Sequence, residues 1–134
     1  MDDRRSDSAQ VPATTDDHSG STALRAFFRI ADAWKLTVDE QMVLLGNPAR
    51  STFFKLKKEG GSLSQDTKER ISYVLGIYQA LQILLPDADS ADRWIRKPNE
   101  AGVFSGHSAL DLMLGGRVAD LFVVRRYLDA QRGA

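Results

Sequence analysis

Leu24, Phe27, Phe28, Ala31 and Trp34 recur at i, i+3, i+4, i+7 and i+10, which is one face of a helix. Thr37 restarts the chain. With Glu40 it has capping-box spacing, each side chain satisfying a free backbone N–H. Val38, Met42 and Leu45 form the buried face of that short second helix, and Gly46 suits the left-handed residue after its end. Asn47-Pro48 then predicts a cap followed by a proline at the first helical position. The third helix is ARSTFFKLKKE, stopped by Gly60-Gly61, with Phe53 and Leu56 facing inward. Ser64 caps a long fourth helix that runs to Leu85, ahead of Pro86. Ile71, Val74, Leu75, Tyr78, Leu81 and Leu85 make its main stripe, while Tyr73, Ile77 and Leu84 add apolar surface elsewhere. A helix apolar on more than one side is central, or shared with a partner chain.

The pattern changes after Pro86. DADSADRWIRK predicts a short helix carrying Trp94 and Ile95, and KPNEAGVFSGHS a loop marked by Pro98-Asn99, Gly102 and Gly106. SALDLMLGG predicts a short helix ended by two glycines, and RVADLFVVRRYLDAQRG a last helix with the stripe Val118, Leu121, Val124 and Leu128. No segment has strand periodicity, so the predicted fold is all-α. The first 20 residues carry five Asp against two Arg and almost no large apolar side chain, the composition of a disordered, protease-accessible tail. The expected organisation is an acidic tail over residues 1–21, a helix-turn-helix and dimerisation unit over 22–85, and a small helical unit over 86–134. The fourth helix and the Phe27-Phe28 region are the candidate self-association surfaces.

Composition narrows the chemistry. The 134 residues contain no cysteine, which excludes disulfides, thiolate catalysis and Cys-based zinc sites. His18 lies in the tail and His107 beside a loop, too few ligands for a metal site. Ser105-Gly106-His107-Ser108 follows no strand and makes no nucleophile elbow. The two Gly-Gly pairs stop helices and have no phosphate-loop context. The expected protein is therefore not an enzyme and needs no cofactor. No stretch approaches the roughly 20 apolar residues of a membrane span, and residues 1–20 lack the apolar core of a secretory signal. The expected location is cytoplasmic, with no membrane partner.

Formal net charge is zero, which argues against nonspecific coating of nucleic acid. Residues 50–58 nonetheless hold Arg50, Lys55, Lys57 and Lys58 with no acid. A short capped helix, a tight turn containing glycine and a second helix with a basic outer face make a helix-turn-helix pattern. In such a motif the second helix enters the major groove and donates to base edges and phosphates. Arg50, Ser51, Thr52 and Lys55 lie near its start, where base contacts concentrate, while Lys57 and Lys58 suit phosphates. Arg25 and Arg29 of the first helix extend the patch. From charge and spacing alone, a solvated basic face on a helical bundle fits equally well.

In the last helix Val123 and Tyr127 lie off the main stripe. They either pack on a neighbouring helix or form a partner-binding face with aromatic and arginine anchors. Arg126 projects away from the stripe, whereas Arg125 lies close to it and reads as a structural ion pair. RISYVLGIYQALQILLPD, WIRKPNEAGVFSGHSALDLMLGG and DLFVVRRYLDAQRG together resemble the Xre/MbcA/ParS antitoxin family over residues from about 24 to 134. Trp94, Pro98-Asn99, Phe104 with Gly106, Leu110, Gly115-Gly116 and Val124-Arg125-Arg126-Tyr127-Leu128 occur in one order, at that family's spacing. Many relatives have proline after the loop glycine; here His107-Ser108 stands there, and Ser108 reads as a helix cap.

The resemblance implies an Xre-like unit that dimerises on operator DNA of its own promoter, and a C-terminal unit that binds a cognate toxin. Toxins of such modules carry a RES domain and consume NAD, and the antitoxin neutralises them by covering the NAD pocket. The resemblance thus makes Val123, Arg126, Tyr127, Arg132, Gly133 and Ala134 the expected toxin contacts. Arg132 would pair with pocket carboxylates or compete for the site of the NAD pyrophosphate, and Gly133-Ala134 would bring a free carboxylate with little bulk. Two alternatives stay open: a plain helix-turn-helix regulator whose C-terminal unit dimerises or senses a ligand, and an adaptor that binds protein but not DNA.

Overall fold

The structure, a computed structural model, describes residues 20–133. Residues 1–19 and Ala134 lie outside the described residues, while Gly20 and Ser21, expected in the acidic tail, begin α1. Those described are all-α, their only extended pairing being an isolated antiparallel bridge between Pro98 and Ser108. Helix α1 spans residues 20–33. It is followed by α2 (Val38–Leu44), α3 (Arg50–Glu59), α4 (Gln65–Leu84), α5 (Ala88–Trp94), α6 (Ala109–Met113) and α7 (Val118–Gly133).

Local signals explain most of the ends. Thr37 and Glu40 form the predicted reciprocal capping box. Ser64 accepts the Thr67 N–H at 3.1 Å, and Ser108 with Asp111 makes a second capping box ahead of α6. At the head of α5 the Asp87 carboxylate accepts both the backbone N–H and the hydroxyl of Ser90. Those two donors hold its pKa below the usual carboxylate range.

One end differs from its prediction. Gly46 (φ 97°) and Asn47 (φ 59°) are both left-handed, and the Asn47 N–H donates back to the Met42 carbonyl at 2.8 Å. Asn47 thus closes α2 and does not cap α3. Pro48 lies outside the helix, and the cap position falls on Ala49, which offers no side-chain acceptor. The apolar face of α2 is also rotated from its predicted position. Leu44 and Leu45 are buried with Gln41, whereas Val38 and Met42 are half-buried. The Gln41 Nε2 donates to the Leu36 carbonyl at 3.0 Å, which satisfies one end of this buried amide while Oε1 has no hydrogen-bond partner among the described residues.

The core is one continuous cluster that runs through both halves of the chain. Phe27 is fully buried, and Phe28 packs edge-on against Phe53 at 5.8 Å. Phe27 is therefore spent inside the fold, while Phe28 is half-buried and lines the cleft between α1 and α3. Helix α4 is covered on two sides, as its two-sided pattern requires. Trp34, just after α1, meets Tyr78, and α7 makes its most extensive contact with α4. The added cover fully buries Ile77 and Ala80, which lie off or beside the predicted main stripe.

Two arginines join these layers. Arg96, from the turn after α5, donates to the carbonyls of Trp34 (3.0 and 3.1 Å) and Lys35 (2.8 Å) at the end of α1, and to Glu40 Oε1 of α2 (3.4 Å). The last carbonyls of a helix have no partner within it, and a cation there also suits the helix dipole. Arg125 of α7 lies over Gly76 of α4, where a β-carbon would overlap its guanidinium. Arg125 also makes the expected ion pair, with Asp129 at 3.1 Å. Alanine in place of a mid-helix glycine normally stabilises by about 1 kcal/mol. Gly76→Ala should lose that gain in the native background and recover it in Arg125→Ala, a coupling of about 1 kcal/mol in a double-mutant cycle. Additive effects in urea unfolding would contradict the contact.

Candidate functional site

Two surfaces carry the candidate residues. The first is α3, held to the body by very little. Phe53 is its one fully buried residue, Leu56 is half-buried, and the rest are exposed. The turn before it rests on the head of α4. There the Thr67 hydroxyl donates to the Leu45 carbonyl at 3.4 Å, and the Arg70–Asp66 pair sits against Gly46. This turn fixes where α3 leaves the body, and its shallow anchor leaves the outer face open.

Arg50, Ser51, Thr52, Lys55, Lys57 and Lys58 are all exposed along this helix. They do not share one direction. Lys57 leans toward α1, its Nζ 5.6 Å from the centre of the Phe28 ring. It lines an open cleft between α1 and α3 with Arg25, Arg29 and Lys58, four cations against Asp32 and Glu59. Arg50 lies 3.6 Å from Asp39 of α2 and 5.4 Å from the centre of the Phe54 ring. The first turn of α3 contains no acid, and no side chain caps its free N–H groups. At the first turn of α3 the helix dipole and uncapped amides add to Arg50 in favouring an anion, and at its other end the cleft cations do so through their charge alone.

The second surface is α7. Leu121, Val124 and Leu128 are buried as predicted, and Val118 is half-buried. Asp120 is buried in the first turn, accepting from the backbone and guanidinium of Arg117. Tyr127 stacks on Trp94 at 6.4 Å with a 17° tilt and meets the edge of Phe104 at 5.0 Å. Of the two open readings for this ring, packing on a neighbour describes its position. Val123, Arg126, Arg132 and Gly133 are exposed. Beyond Leu128 every described residue is exposed, so the final turn extends past the core.

Two exposed aromatics were not among the predicted contacts. Phe54 is 42% exposed on α3 and Phe122 is 43% exposed on α7. Phe122 touches Tyr73 of α4 edge-on at 5.9 Å. The spacing held a signal for both. Phe54 follows Arg50 by four residues and Phe122 precedes Arg126 by four, so each lies on the flank of an exposed arginine. Among the described residues no group of three or more metal-ligating side chains comes together, and no helix is long and apolar enough to cross a membrane.

If Tyr127 serves packing and Arg126 serves the surface, their alanine variants must separate. Tyr127→Ala should cost about 2–3 kcal/mol, below the range for a fully buried ring because this one is half-buried. Arg126→Ala should stay within about 0.5 kcal/mol of the native chain. Urea unfolding followed by tryptophan fluorescence measures both, and equal small effects would contradict the assignment.

Comparisons with known proteins divide the chain at α4. Residues 19–76 match the family described as antitoxin Xre-like helix-turn-helix domain. Residues 80–133 match the family described as antitoxin Xre/MbcA/ParS C-terminal toxin-binding domain. The chain is also similar to the uncharacterized protein y4oB of Sinorhizobium fredii, 57% identical over 128 residues, which is 96% of this chain and 91% of that protein.

Proposed function

Because this chain belongs to the Xre/MbcA/ParS antitoxins and carries both their helix-turn-helix and their toxin-binding domain, we propose that it neutralises a RES-domain toxin and represses its own promoter. The toxin consumes NAD, and the antitoxin acts by closing the NAD pocket with the end of α7. The observation that carries this reading is the free last turn. Residues 129–133 project beyond Leu128 without contributing to the core, so they enter a neighbour's cleft at no cost to their own fold. Arg132 faces the carboxylates or the pyrophosphate subsite of the pocket, with Gly133 and Ala134 beyond it. Val123, Arg126 and the outer edge of Tyr127 border the opening, joined by Phe122.

On DNA, α3 lies in the major groove. Arg50, Ser51, Thr52 and Lys55 face base edges, while Lys57 and Lys58, with Arg25 and Arg29, hold phosphates. A single α3 reads only a few base pairs, so repression is the work of a homodimer on two half-sites. An overall charge of zero does not oppose this, because the cations are concentrated between α1 and α3.

The toxin arm is tested by a chain that ends at Leu128. Its core is intact, and the Arg125–Asp129 pair it loses is a partly exposed contact worth at most about 1 kcal/mol. Co-expressed with the RES-domain toxin, the full chain should keep cellular NAD at its resting level. The shortened chain should fold but let NAD fall. Equal protection by both would remove the pocket-closing role and leave only the flank of α7 as the interface.

A further inference from the structure

Phe54 is placed where packing gives no reason for it. Its neighbour Phe53 already fills the core position, and the Phe54 ring only meets that ring's edge at 5.1 Å. It stays 42% exposed in the middle of α3, with the Arg50 guanidinium over it and Ser51, Lys55 and Lys58 exposed around it. An apolar protein surface covering Phe54 would have to desolvate those cations without partners. The wall of a major groove satisfies both sets of groups. Phosphates and purine acceptors take the cations, and the thymine 5-methyl is the apolar group exposed there.

We propose that Arg50 and Phe54 act as one unit that reads a thymine and a guanine on neighbouring base pairs, a step that rests on the DNA reading of α3 given above. The Phe54 ring lies against the thymine methyl. The Arg50 fork takes guanine O6 and N7, the pairing its geometry matches. The two groups are 5.4 Å apart, within two base-pair rises of roughly 3.4 Å each. Asp39 of α2 lies 3.6 Å from Arg50, and Phe54 lies beside it on α3, so the guanidinium is flanked from both helices before DNA arrives.

The test uses the full chain and 20-base-pair duplexes selected from a random pool by binding to it. Each thymine of the selected sequence is replaced in turn by uracil, which pairs identically but lacks the methyl. The native chain should bind about fourfold more weakly at one thymine per half-site, next to a guanine; one buried methyl, ~0.8 kcal/mol at 1.4 kcal/mol per tenfold, gives that ratio. Phe54→Ala should bind the thymine and uracil duplexes equally, and Phe54→Leu should regain part of the preference. Replacing the adjacent guanine by 7-deazaguanine should weaken the native chain and leave Arg50→Ala unmoved. Uracil tolerated at every position by the native chain, which needs no substitution to fold, would overturn the proposal while leaving DNA binding in place. A thymine dependence that persists in Phe54→Ala would do the same. Selection that enriches no sequence would overturn this proposal together with the DNA reading of α3.

Discussion

Helix α4 carries apolar side chains on two faces, and water must be kept from both. Trp34 closes on Tyr78 from the first half of the chain, and α7 lies across Gly76 from the second. Covering both faces joins a DNA-binding type of unit and a toxin-binding unit through one uninterrupted core. Arg96 reinforces the joint by completing the end of α1 from a turn more than 60 residues away. Charged donors on otherwise unpartnered helix carbonyls are among the stronger hydrogen bonds in a protein, about 1.5–3 kcal/mol each when shielded and less at a half-exposed site such as this. The two family matches meet inside α4, and that helix belongs structurally to both.

What surrounds this core is left open by design of the sequence rather than by poor packing. Helix α3 uses Phe53 and half of Leu56 for attachment and gives the rest of its surface to cations, hydroxyls and one phenylalanine. Helix α7 stops contributing to the core at Leu128 and continues for a further turn. Each is thus a regular helix whose outer face carries side chains that the fold does not need. Preorganised helices lose little conformational freedom on binding.

The local grammar was legible in the residues. Thr37 with Glu40, Ser64, Gly46 and Ser108 each act within a few positions of where they stand, so spacing alone identifies them. The two-faced pattern of α4 announced its central place, and the basic run after Arg50 announced the outer face of α3. Long-range partners were not legible. Nothing near Arg96 tells that it completes α1, and nothing near Gly76 tells that a guanidinium lies on it. Asn47 misled because asparagine serves equally as a helix cap and as a left-handed exit residue, and only the bond to Met42 decides between them. For Tyr127 the periodicity gives direction but not the identity of the neighbours, here Trp94 and Phe104. Phe54 and Phe122 are hidden from the pattern because an apolar residue beside a buried one reads as core until exposure is known.

If α3 serves DNA and the end of α7 serves the toxin, one core carries two separate working surfaces. Amide hydrogen exchange on the full chain tests this most directly, measured alone, with a selected duplex and with the RES-domain toxin. The duplex should slow exchange over Arg50–Glu59 and leave the last turn of α7 unchanged. The toxin should slow exchange in that last turn and leave α3 unchanged. Toxin protection that falls on α3 while the end of α7 still exchanges freely, or duplex protection that spares α3, would contradict it.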